Sequence, residues 1–247
     1  MRPILPIIRR RVSRRTDRST LPEPQSSIVS FSFDDCPKSA ITNALPLVEA
    51  EGWRSTIYVA CGLCETTNHL GLHMSDADIL DVYNRDHEIA DHTFSHLSAD
   101  QVDIQTYMND IERNQRHLKK LGLPRSRHFA YPYGHVSPAL KKALRKRFET
   151  MRGVVTSTNT TQDANLLNAT RLYSNDSIEQ ALEKIAKAKT TPQWLNLFTH
   201  DVREQPSEFG CTIEDFQKIV KAVRGSALRV MTVDDAYRTI VKRENLS

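Results

Sequence analysis

Short runs rich in β-branched and aromatic residues alternate with longer stretches of helical periodicity along nearly the whole chain. This alternation is the strongest constraint on its fold. The candidate strands are "SIVSFSF" (27–33), "STIYVA" (55–60), "HEIAD" (87–91), "HFAY" (128–131), "TMRGVVT" (150–156), "WLNLFT" (194–199) and "LRVMTV" (228–233). Between them, Ile104, Tyr107, Met108, Ile111, Leu118 and Leu121 share one helical face over 104–121, with Gly122 and Pro124 as the stop. Ser177 and Gln180 make a capping-box pattern ahead of a helix through Ile178, Leu182 and Ile185, and Ile213, Phe216, Ile219, Val220 and Val223 mark another. Strands alternating with helices require a parallel sheet. Seven such units close into an α/β barrel more easily than they lie open.

A chain of 247 residues suits one such domain. Residues 1–26 read as a basic arm and a Pro-marked linker, "LPEPQSS", ahead of a catalytic domain over 27–247. The first 20 residues hold seven Arg against Asp17, a formal +6 in a chain of net +4, so the body is slightly acidic and unlike a nucleic-acid binder. The arm reads as a mobile tail, with an anionic surface as its alternative contact. No apolar run is long enough to span a membrane. The opening "MRPILPIIRRRVSRRTDR" places its apolar patch before its charges, the wrong order for a secretory signal, so the expected location is cytoplasmic. "CGLC" (61–64) has redox spacing but lacks the second pair that a four-thiolate zinc site needs, and reads as buried residues around a turn.

In a βα barrel, functional groups gather where strands end. Asp34 and Asp35 follow the first strand, His92 and His96 the third, "YPYG" (131–134) the fourth and "HD" (200–201) the sixth. Adjacent carboxylates at a strand end repel each other, so they need bulk solvent or a cation. The four-residue spacing of His92 and His96 puts both imidazoles on one face of a helical turn, where they can share an ion with one of the two Asp. That site leaves a position open for water, which the second Asp can deprotonate as general base. His200 can protonate a leaving group, with Asp201 as its local carboxylate.

Together these residues resemble the polysaccharide deacetylases with the NodB homology domain, carbohydrate esterase family 4. "SFDDC" is similar to the family's first motif (T/S-F-D-D-G), "HTFSH" to its second (H-S/T-x-x-H), "YPYG" to the end of its third and "LFTHD" to its fifth, in the family's order from about Ser27 to Val233. The resemblance implies a distorted (β/α)7 barrel and hydrolysis of an acetyl group, usually N-linked, on a saccharide polymer or oligomer. It implies Asp34 as general base, His200 as general acid, and Asp35, His92 and His96 as ligands of a divalent metal. Zinc is the expected ion, and cobalt or nickel suits the same donors. Tyr131, Pro132 and Tyr133 become the oxyanion and substrate-binding segment, with the Tyr133 N–H as donor.

Three departures from the family pattern stand out. Cys36 occupies the position of the Gly after the Asp pair. Ala130 stands where the third motif has an Arg, as in members reading "FAYPYG", so Arg152 is the expected support for Asp34; Arg127 lies at the wrong end of its strand. The fourth motif's Asp and Trp are not evident, and Asn159 and Asp163 are the polar residues available on a loop over the barrel mouth. An inactive sugar-binding scaffold on the same barrel, or a hydrolase of a small non-sugar amide, are the alternatives.

Overall fold

The computed structural model describes residues 12, 13, 15–156, 160–174 and 176–242. Its frame is a ring of parallel strands. In chain order the strands are β1 (Ile28–Asp34), β2 (Thr56–Val59), the hairpin pair β3 (Thr67–Asn68) and β4 (Gly71–Leu72), β5 (Glu88–Asp91), β6 (His128–Ala130), β7 (Thr150–Arg152), β8 (Thr170–Arg171), β9 (Trp194–Thr199) and β10 (Arg229–Val230). The main sheet runs β7-β6-β5-β2-β1-β9-β8. Its edges meet through residues 164–169: Met151 N–H donates to Ala164 O (2.7 Å), Leu167 N–H to Met151 O (2.8 Å) and Gly153 N–H to Leu167 O (3.0 Å). Seven parallel strands with an irregular seam make the distorted (β/α)7 barrel that the resemblance implies.

The seven ring members differ from the seven runs read in the sequence. β8 is only two residues long and carries no visible period, so it escapes a pattern search. The run 228–233 supplies only β10, which pairs with Ile28 and Val29 at the lower end of β1, outside the ring, before Val233 starts a helix.

The helices are α1 (Leu45–Glu49), α2 (Asp76–Asn84), α3 (Ile104–Lys120), α4 (Pro138–Leu144), α5 (Asp176–Ala188), α6 (Ile213–Ser226) and α7 (Val233–Val241). Asp103 caps α3 by accepting the Thr106 N–H at 2.9 Å, and Thr212 caps α6 by accepting that of Asp215 at 3.0 Å. Ser177 is not the cap of α5; it lies inside the helix, and its hydroxyl bonds both the N–H and the carbonyl of Tyr173 at 2.9 Å. The apolar faces of α1, α5 and α6 pack on β1, β2 and β9, with the Phe216 ring 5.8 Å from both Phe31 and Phe33. No helix among the described residues is long and apolar enough to cross a membrane.

From Val12 on, the segment read as a mobile arm packs against the seam. Lys141, fully buried, donates from Nζ to Ser13 O and Thr16 O at 2.9 Å and pairs with Asp163 at 2.6 Å. Asn165 holds Asp17 O (2.8 Å), and Leu21 joins the core around Ile28, Trp194 and Ile240. Residues 1–11, with Arg2, Arg9, Arg10 and Arg11, lie outside the described residues, as do Arg14 and Asn159. Asp163 therefore anchors the arm instead of reaching over the barrel mouth.

Candidate active site

At the carboxyl-terminal end of the ring, a cleft of about 550 Å³ is lined by Asp34, Asp35, His92, His96, Tyr131, Tyr133 and His200, together with Arg171, Tyr173, Glu208 and Phe209. Asp34 is the last residue of β1. Left-handed backbone at Asp35 (φ 62°) and Cys36 (φ 58°) then reverses the chain. Such a conformation costs a non-Gly residue about 1–2 kcal/mol, which accounts for the Gly that the resembling family carries at the position of Cys36. The Cys36 thiol is fully buried and does not line the cleft.

Arg152, the last residue of β7, donates from Nη2 to both carboxylate oxygens of Asp34 and from Nη1 to Gly153 O (2.9 Å). Its guanidinium lies between the rings of Phe198 and Tyr58, 4.4 and 4.9 Å from their centroids. Two aromatic faces and a carboxylate thus offset the burial of this cation.

His92 and His96 come together, but not on a helical turn. Residues 92–96 form an irregular loop with left-handed Thr93 (φ 61°) and His96 (φ 51°). Polar groups on α3 and at the end of β5 hold this loop. Asp91 accepts from Thr93 N–H (2.9 Å) and Gln115 (2.6 Å), and Asp110 accepts the Ser95 N–H (2.8 Å) and hydroxyl (3.0 Å). Asn114 ties Val59 O to Cys61 N–H. The readable signal for these anchors is that Asp110, Asn114 and Gln115 sit on the buried side of α3, where the helical period alone calls for apolar residues.

Both His92 Nε2 and His96 Nε2 lie 3.1 Å from Asp35 Oδ1. The three ligand atoms fall within 4.8 Å of one another. His92 Nδ1 is 2.8 Å from Ala130 O, and because a carbonyl only accepts, that nitrogen carries the proton. When His92 is neutral, as a metal ligand must be, its Nε2 lone pair therefore points at Asp35 Oδ1, a buried oxygen with no aligned hydrogen-bond donor. Lone pairs converging in a buried pocket suit a cation among them. Burial alone would raise the Asp35 carboxyl, but the adjacent imidazoles outweigh it and hold it well below the usual range. The two histidines diverge: burial lowers both, yet Asp35 and Asp34 raise His92 overall, while His96 stays depressed.

Across the cleft, His200 Nδ1 lies 3.0 Å from Phe209 O. Asp201 does not serve as its carboxylate partner. It is buried, accepting from Ser207 N–H (2.8 Å) and Oγ (2.5 Å) and pairing with Arg203 (2.8 Å), and so it fixes the loop that presents the Phe209 carbonyl. Gly210 is required there, since a Cβ would collide with Asp201. Tyr133 (φ 58°) opens one wall, with its ring 4.4 Å from that of His96 and 56% exposed. Pro132 starts the short turn that carries it, and Gly134 (φ 63°) leaves no room for a Cβ against Val154. Tyr131 is buried, with its hydroxyl on Asn165 O at 3.2 Å. Arg171, Tyr173 and Phe209 are cleft residues that the sequence reading missed, because they end or follow the two-residue strand β8 or lie in an aperiodic loop.

The family model for polysaccharide deacetylases matches residues 22–150. No curated protein sequence matches significantly. Solved structures share the fold at low identity. A chitin deacetylase from the fungal pathogen Colletotrichum lindemuthianum superposes with a TM-score of 0.63 at 15% identity, over 87% of this chain and 89% of that one. Bacillus subtilis PdaA, a family 4 carbohydrate esterase, gives 0.61 at 14%, over 95% and 88%. A family 4 acetyl xylan esterase from Clostridium thermocellum, in complex with a cobalt ion, gives 0.60 at 17%, over 86% and 90%.

Proposed function

This chain belongs to the polysaccharide deacetylase family, and we propose that it is a metal-dependent hydrolase that removes acetyl groups from an N-acetylated saccharide. The observation that carries the reading is the division of labour between adjacent acids: Asp34 faces Arg152, while Asp35 faces His92 and His96 in the same cleft. A divalent cation held by Asp35, His92 and His96, zinc by preference and cobalt or nickel by the same donors, would acidify a water and polarise the acetyl carbonyl.

The chain's own groups supply the rest. Asp34, fixed by Arg152, takes the proton of the attacking water as general base. The Tyr133 N–H donates to the oxygen on which charge develops. His200, its Nδ1 proton committed to Phe209 O, passes a proton from Nε2 to the departing amine. The exposed faces of Tyr133 and Phe209 offer flat apolar surfaces to sugar rings.

Asp34→Asn tests the reading. Acetate release from N-acetylglucosamine oligomers should fall by about a hundred- to ten-thousandfold, with metal content per chain unchanged by elemental analysis. Full turnover in the variant rules out Asp34 as the base. Binding of the oligomers without acetate release by the wild-type, metal-loaded protein would instead indicate a sugar-binding scaffold.

A further inference from the structure

We infer that Arg171 reads an acidic group on the saccharide, so that the substrate class is an N-acetylated oligosaccharide bearing carboxylates. This rests on the deacetylase reading above. Arg171 ends β8 in register with Phe198, two residues short of His200 on the neighbouring strand, which brings it to the catalytic end of the ring. It lines the catalytic cleft and also walls a second cavity of about 380 Å³.

The two arginines of the cleft are in opposite states. Arg152 is buried, with Nη2 on Asp34 and Nη1 on the Gly153 carbonyl. Arg171 is exposed, and among the described residues its guanidinium makes no hydrogen bond or ion pair. A guanidinium offers five donors in a planar fork that matches a carboxylate, so an unpaired one beside a reaction centre is a ready receptor for that group. Glu208 is the other unpaired charge on the cleft and lies in the loop of Phe209; its sign argues against indiscriminate anion attraction and for a local contact at Arg171.

The second cavity suits a saccharide. Besides Arg171, the described residues that wall it are Thr156, Thr170, Tyr173, Asp176, Ser177 and Gln180, every one with a polar side-chain group. Hydroxyls, an amide and a carboxylate are the groups that bind sugar hydroxyls. Tyr173 and Arg171 are common to both cavities, so a sugar in the second is next to the one whose acetyl group faces Asp34. Asp176, the one acid among the described residues there, makes no ion pair with Arg171 and leaves the fork free.

The test compares three oligosaccharides of equal length on the full metal-loaded chain and its Arg171→Ala and Arg171→Lys variants. One is neutral N-acetylglucosamine, one alternates it with a uronate, and one carries a lactyl ether carboxylate on alternate N-acetylated residues. Affinity is read by calorimetry and kcat/KM by acetate release. Arg171→Ala should weaken the preferred acidic oligomer by about tenfold or more, and the neutral one by several times less, with Lys restoring part of the difference. Whichever acidic oligomer responds locates the carboxylate on the neighbouring or on the acetylated sugar. Equal losses on all three, or none, overturn the inference. If wild-type protein binds the oligomers yet releases no acetate, the deacetylase reading fails, while the affinities still decide the role of Arg171.

Discussion

The two ends of the barrel contain the same ingredients in opposite wiring. Each has a cleft of similar size, about 550 Å³ at the catalytic end and about 530 Å³ at the other. Each joins histidine to carboxylates. At the lower end the histidine and the carboxylates around it are answered. Glu88 accepts from the Thr56 hydroxyl (2.7 Å) and the Asp234 N–H (3.0 Å), which seats the N-terminus of α7 on a carboxylate. His128 bridges Thr150 (2.8 Å) and Asp234 (3.0 Å), and Arg238 pairs with Asp234 at 2.7 Å. At the upper end, lone pairs of Asp35 and His92 face each other when His92 is neutral, and left-handed non-Gly residues crowd the loops: Asp35, Cys36, Thr93, His96 and Tyr133, against Asp86 and Ala227 at the lower rim. Local rules are broken more often where polar side chains converge on the cleft than where they pair with one another.

The largest effect expected from this contrast is at the unanswered site. His92→Ala, His96→Ala should take metal from about one ion per chain to almost none by elemental analysis, and abolish acetate release. Metal retained at the wild-type level would mean that the converging lone pairs serve another purpose. Next is Arg152→Ala, which leaves Asp34 buried without its cation and should cost about 3–5 kcal/mol in chemical denaturation. Adding Asp34→Asn should recover part of that loss, because the stranded charge is gone; no recovery would show that the aromatic packing of Arg152, not the ion pair, sets the cost.

How far this contrast was legible in the sequence depends on what each residue needs from its neighbours. The strand ends, the Asp pair, the two histidines and His200 can be read because each interrupts a local period at a predictable point. Arg152 was reachable by elimination, once Ala130 was seen in the place of an Arg. The loop geometry was not: a four-residue spacing brought His92 and His96 together by the wrong conformation, because their loop is held by Asp110, and through Asp91 by Gln115, from a helix distant in sequence. β8 and the docking of the arm on Lys141 likewise depend on contacts distant in sequence, and Asp201 turns from His200 to Ser207 and Arg203 within a loop that has no period to read. The lower cluster had no signature at all, since Glu88, His128 and Asp234 become neighbours only when the ring closes.

That hidden cluster provides the converse test. Glu88→Ala leaves the Asp234 N–H and the Thr56 hydroxyl without their acceptor and should cost about 1–3 kcal/mol of stability. Acetate release per folded molecule should hold at its wild-type value, since Glu88 lies at the far end of the lumen from Asp34. A loss of turnover without a loss of stability would break the separation of the two ends.

The smallest effect is in the acid response of the same cluster. Burial would raise the Asp234 carboxyl, but His128 and Arg238 outweigh it and lower it to about 2. The unfolded chain, with an ordinary carboxyl near 4, binds the proton more readily than the fold does. Between about pH 4 and pH 2, stability therefore rises with pH, and the contribution of Asp234 is lost as the pH falls through that window. Asp234→Asn should lower stability at neutral pH, where its ion pairs are missing, and should flatten the acid limb of the stability curve relative to wild type. Parallel acid limbs in the two proteins would mean that Asp234 is held no lower in the fold than in the unfolded chain, and that the lower cluster is stabilised by its neutral hydrogen bonds alone.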